Sequence, residues 1–93
     1  MNEKIIDEFQ KLLLYLQLLA ENEKDSKEKI KFKFRIESIR RGLKVLMKYP
    51  KNIESGKELE HLEGIGKGII SRIDEIIQKG KLSEIRSNMY KQL

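Results

Sequence analysis

Apolar residues in this chain recur mainly at intervals of three and four, and no segment is read as a strand. That period puts them on one face of an α-helix, so the chain is confined to an all-α fold. Ile5, Ile6, Phe9, Leu12, Leu13, Leu16, Leu19 and Ala20 form the first such stripe and predict a helix over residues 1–22. A second helix is expected over 27–49, capped by Asp25 or Ser26, burying Ile30, Phe34, Ile36 or Phe32, Ile39, Leu43, Leu46 and Met47. Tyr49-Pro50 ends it, because the residue before a proline is pushed out of the α region. Residues 55–79 read as a short helix from Gly56 to His61 capped by Ser55, a glycine turn, and a helix from about Lys67 to Gln78 burying Ile69, Ile70, Ile73, Ile76 and Ile77. Gly80 stops that helix in a left-handed conformation. A last helix over 82–91 packs Ile85 and Met89, which completes a small four-to-five-helix bundle over residues 1–93 as a single domain.

A chain of 93 residues holds one modest core and no large buried cleft. With no Cys and one His, thiolate catalysis, disulfides and the usual zinc sets are excluded. His61, beside a turn, reads as a surface or capping residue. Neither a signal peptide nor a membrane span is visible, so an intracellular protein is expected, with nucleus and cytoplasm indistinguishable. Charge is unevenly placed. Residues 1–23 carry two Lys against five acids, 24–51 carry eleven Lys or Arg against three, and 52–93 carry seven of each. The basic middle is the footprint of a polyanion binder, nucleic acid being the commonest partner, or else a solvated helix face.

Gly64, Gly66 and Gly68 stand at alternate positions in front of the isoleucine-rich helix. Glycine supplies turn angles closed to other residues, and the turn presents unsatisfied amides and the positive helix end, a seat for phosphate. Lys67 adds a mobile charge, and Ile65 anchors the turn from beneath. The dinucleotide fingerprint and the nucleotide P-loop are both rejected, since no strand precedes the glycines and no Gly-Lys-Ser/Thr follows. A purely structural corner is the alternative. Tyr15, Tyr49 and Tyr90 can stack on bases, although packing for Tyr49 and edge positions for the other two are the simpler roles.

The run LEHLEGIGKGIISRIDEII resembles a helix-hairpin-helix motif, a DNA-backbone binder without sequence preference. The wider run RRGLKVLMKYPKNIESGKELEHLEGIGKGIISRIDEIIQKGKLSEI is similar to the amino-terminal lyase-like domain of the DNA polymerase X family, to which DNA polymerase beta belongs. The resemblance covers roughly residues 30–90. It implies a domain that grips gapped, nicked or 5′-phosphorylated DNA through Gly64, Ile65, Gly66, Lys67, Gly68 and Arg72, with Arg35, Arg40, Arg41 and Lys44 around them. It also implies a Na+ or K+ held by the backbone carbonyls of Glu60, Leu62 and Ile65, and the remainder of a polymerase chain as partner. Glu63 replaces a usual proline and Ile70 a usual small alanine; Glu63 adds a negative charge beside the expected phosphate site.

Lyase members of that family form a Schiff base through a lysine, a step that needs a neutral amine. The matching position here is Arg72, whose guanidinium stays protonated and cannot attack, though it binds phosphate well. Two further positions, a lysine and a tyrosine in the family, are Arg35 and Ile39 here. No catalytic residue is therefore expected, with Lys67, Lys79 and Lys81 as substitute amines under the alternative of an active 5′-deoxyribose-phosphate lyase. No paired-aspartate motif for two magnesium ions is present, which excludes nucleotidyl transfer from these residues. A second alternative is a helical protein-interaction domain, in which the Leu-rich first helix docks on a partner.

Overall fold

A computed structural model describes residues 2–86. Helix α1 spans Glu3–Asn22, α2 spans Ser26–Lys48 and α3 spans Lys67–Lys79, with a 3-10 turn at Gly56–Leu59 between the last two. The described residues contain no strand, so the all-α class holds with three full helices in place of four to five. Three residues join α1 to α2, which fold back on each other as an antiparallel pair. Asp25 rather than Ser26 is the cap: its Oδ1 accepts the Lys27 amide at 2.9 Å. Asn2 pins the start of α1 to a distant segment, its side chain donating to the Lys51 carbonyl and accepting the Ile53 amide.

One core runs through the molecule. Phe9, Leu12 and Leu16 of α1 meet Ile36, Ile39, Leu43 and Leu46 of α2 and Ile69, Ile73 and Ile76 of α3, with Leu59, Leu82 and Ile85 closing the base. Tyr15 is buried rather than at an edge. Three residues expected inside α2's face lie outside it: Ile30, Phe34 and Met47 are 51%, 72% and 59% exposed. The inward stripe is 36-39-43-46; Phe34 stands two residues before it, about 200° around the helix. Ile77 is likewise exposed, one position past the inward Ile76.

The expected helix at Gly56–His61 closes after one 3-10 turn, Gly56–Leu59, because Glu60 and Leu62 donate to carbonyls three residues back. Within the expected last helix, Ser83–Ile85 form a turn: the Ser83 amide and hydroxyl both donate to the Glu75 carboxylate. That hydroxyl, then the amide, holds the Glu75 carboxyl below its usual range. The rest of that helix, with Met89 and Tyr90, lies outside the described residues.

Glu58 ties the connection after α2 together. Its Oε1 accepts the amides of Glu54 and Ser55 at 2.6 and 3.1 Å, and its Oε2 accepts the Tyr49 hydroxyl at 2.8 Å. These donors, the Glu54 amide foremost, hold the Glu58 carboxyl below the ordinary glutamate range, while the same contact pushes the Tyr49 hydroxyl up. A depressed folded-state pKa stabilises the protein above the unfolded value of about 4.3 and ceases to do so as pH falls through the folded value. Glu58→Gln is therefore expected to melt below the wild type at pH 7, with the gap closing as pH falls below the unfolded value and through the depressed folded one. A gap that is constant across this range would show that the charge is not the agent.

Candidate nucleic-acid interface

The glycine turn is built on α2. Leu62 donates to the Leu59 carbonyl, Ile65 donates to the Leu62 carbonyl at 3.2 Å, and Gly64 between them takes φ 93°, which only glycine adopts freely. A Cβ on Gly64 would stand 3.2 Å from Val45 Cγ2 and 3.6 Å from the Arg41 carbonyl, so the turn lies against α2. Ile65 is buried beneath it, as its place between two glycines suggests. Ser38 and Arg41 of α2 and Glu63, Gly64, Ile65 and Gly66 of the turn line an open recess of about 390 Å³.

Gly66 starts α3 differently. Its backbone is extended and ordinary, and a Cβ there would meet nothing within 4 Å. Its carbonyl accepts the Ile69 and Ile70 amides at 3.1 Å. Whereas Asp25 caps α2, no side chain caps α3 and no acid lies in its first turn. Lys67 and Gly68 are exposed at this uncapped end. Glu63, the departure from the usual proline, is exposed at the recess.

The other departure, Ile70, has a counterpart in space. A Cβ on Gly56 would lie 2.5 Å from the Ile70 carbonyl oxygen, so the glycine sits on the opposite side of the contact from where a small residue is usual. The Gly56 amide donates to Asp74 Oδ1 at 2.7 Å, which holds the 3-10 turn against α3.

The expected basic residues divide. Arg41 lines the recess, and Lys44, one turn further on, is exposed; neither has an ion partner among the described residues. Arg35 is exposed, its guanidinium 5.8 Å from the Phe32 ring centroid. Arg40 is paired with Glu37 at 2.9 Å and lines a different cleft, between α2 and Gln17, Ala20 and Glu21 of α1. Ile39 is wholly buried core. Lys79 is the last residue of α3, about 18 Å from its start, and Lys81 lies just past Gly80, so of the three substitute lysines only Lys67 belongs to the helix start.

Arg72 is the most constrained of the set. Its Nε and Nη2 donate to the two Glu84 oxygens at 2.6 and 3.2 Å, and its Nη1 donates to the Gly68 carbonyl at 3.2 Å. Sequence reasoning gives no sign of Glu84, which approaches from twelve residues away across the Gly80 turn. Ser38 is also absent from it, although its place one turn before Arg41 was a usable signal.

The carbonyls of Glu60, Leu62 and Ile65, the oxygens expected to hold a monovalent cation, lie within six residues of chain around the turn. The Leu62 oxygen accepts one amide and keeps a second lone pair.

The family described as helix-hairpin-helix domain matches residues 1–82. The chain is 33% identical over 85 residues to DNA polymerase lambda of Arabidopsis thaliana, covering 91% of this chain and 14% of that protein. It thus spans about one-seventh of that relative's length. No solved structure matches significantly.

Proposed function

This chain belongs to the helix-hairpin-helix domain family, matched over residues 1–82, and on that premise we propose that it is the DNA-binding domain of an X-family repair polymerase. It grips gapped or nicked DNA at the 5′-phosphate, inside the cell, as one part of a longer polymerase. The observation that carries this reading is the bare start of α3. Ser, Thr, Asp or Asn at a helix start would spend its own oxygen on the first-turn amides. Gly66 leaves them to an outside acceptor, with empty space above it and Lys67 alongside. A phosphate is the acceptor that uses both the amides and the helix dipole.

The grip works through phosphates. The amides at the start of α3 receive one phosphate oxygen, while Lys67, Arg41 and Lys44 neutralise neighbouring charges along the strand. No base edge is read, so binding is independent of sequence. A Na+ or K+ at the carbonyls of Glu60, Leu62 and Ile65 would supply one more positive charge between the turn and the DNA. Arg72 holds no free amine and forms no Schiff base, so its role is in binding.

Gly66→Ser separates this function from the fold. A serine there is a better helix cap, so Tm is expected to stay level or rise. Its hydroxyl takes the amides, so affinity for a gapped duplex bearing a 5′-phosphate is expected to fall roughly tenfold, the value of one charge-assisted hydrogen bond. Fluorescence anisotropy against gapped DNA with and without the 5′-phosphate, and against intact duplex, measures this. Equal, weak binding of all three by the wild type would overturn the reading.

A further inference from the structure

We propose that Glu84 decides which phosphates Arg72 accepts, by occupying its guanidinium in the free protein and yielding it to a terminal phosphate more readily than to an internal one. The inference rests on the DNA-gripping function above and assigns it a selectivity device.

The pair has the geometry of a ligand complex. Two parallel N–H donors meet the two oxygens of one carboxylate, the arrangement in which a guanidinium also takes a phosphate. The third nitrogen is held by the Gly68 carbonyl, so each guanidinium nitrogen has a partner. Gly68 belongs to the first turn of α3, and a Cβ there would stand 3.0 Å from Nη1. The contested guanidinium therefore lies beside the bare helix start. Both side chains are largely covered, 20% and 33% exposed, unlike the exposed Arg40–Glu37 pair at 47% and 61%.

Glu84 is also held in place. It sits on the Ser83–Ile85 turn, which is anchored by buried Leu82 and Ile85 and by both hydrogen bonds from Ser83 to Glu75. A carboxylate presented this way acts as a resident anion that any incoming phosphate must displace.

Charge sets the outcome of that exchange. An internal phosphodiester carries one negative charge, the same as the carboxylate, and gains little by replacing it. A terminal monoester carries about 1.5 to 2 at neutral pH and three acceptor oxygens, so it wins the exchange and also draws on the helix dipole. Glu84 thus lowers affinity for unbroken strands and leaves ends the preferred ligand.

The test is a binding matrix with the whole chain. Wild type, Glu84→Gln, Glu84→Ala and Arg72→Gln/Glu84→Gln are titrated against a gapped duplex with a 5′-phosphate, the same gap with a 5′-hydroxyl, and intact duplex, with Tm measured for each. Both single variants are expected to bind the hydroxyl gap and intact duplex about tenfold more tightly and the phosphorylated gap only about twofold, a fivefold loss of discrimination. The salt slope on intact duplex should steepen by about 0.9, one more phosphate contact. The double variant should cancel the gain. Equal tightening on all three DNAs, or tightening that survives Arg72→Gln, would overturn the inference, since a general charge effect suffices for either. Unchanged or weaker binding would overturn it in favour of a purely structural tie. If the wild type shows no preference for the phosphorylated gap, the function proposed above fails first and the inference with it.

Discussion

Gly56→Ala is expected to remove at least about 3 kcal/mol of stability, the upper range for overpacking a tight contact. The new methyl would be driven to 2.5 Å from the Ile70 carbonyl oxygen, 2.9 Å from its Cγ2 and 3.0 Å from its Cα. Two of those three atoms are backbone of α3, so relief by a side-chain rotation is not available. Retreat is opposed as well, because the Gly56 amide is tied to Asp74 on the same helix at 2.7 Å. Native domains hold about 5–15 kcal/mol in total, so this is a large share, and Tm should fall by roughly 12–24 °C. Thermal unfolding followed by circular dichroism measures it. A fall under about 3 °C would show that residues 55–59 can shift away from α3 without penalty. Gly66→Ser is the matched control: it alters the same motif where a Cβ meets nothing.

That contrast explains what the sequence made legible. The glycines at 64 and 66 were readable as a turn opening a helix, and the helix-hairpin-helix family match agrees. Their different duties were not readable: Gly64 answers to a left-handed backbone angle and Gly66 to the space outside. Ile70 looked like a departure that crowds the motif. The relief comes from Gly56, fourteen positions earlier, which only the folded contact reveals. In α2 the helical period was legible but its inward face was not. Ile30, Phe34 and Met47 are as apolar as Ile36 and Leu46, and composition alone does not choose between two stripes on a helix of 23 residues. The choice is made by where α1 and the turn press against α2.

Arg72 is the clearest case of a residue whose type was informative and whose environment was not. A guanidinium at that position excludes amine chemistry on sequence alone. Its commitment to Glu84 depends on Gly80 at φ 75° turning the chain back along α3 and on Leu82 and Ile85 burying beneath it. Neither spacing nor charge count carries that information. Counting residues 52–93 as neutral is correct, yet one of those cancelling pairs sits directly at the proposed DNA site.

DNA affinity is expected to fall about 150- to 500-fold when salt is raised from 50 to 200 mM, the largest single effect foreseen for this chain. Each neutralised phosphate contributes a slope of about −0.9 in log affinity against log salt. The cations placed to do so are Arg41 at the recess, Lys44, Lys67 and Arg35, all exposed, with Arg72 joining when a phosphate displaces Glu84. Four to five contacts give a slope of roughly −3.6 to −4.5, hence the range above. The geometry also says which cations do not count. Arg40 is satisfied by Glu37 and faces the α1 cleft, so Arg40→Ala should leave the slope unchanged, whereas Arg41→Ala should reduce it by about 0.9. Residues adjacent in sequence would then differ by a whole phosphate contact, because successive positions on a helix point about 100° apart. Equal effects of the two substitutions would mean that DNA is held by the undirected charge of residues 24–51 rather than by the glycine turn. A flat salt response would remove phosphate contacts from the account altogether and return the Leu-rich α1 and a protein partner to first place.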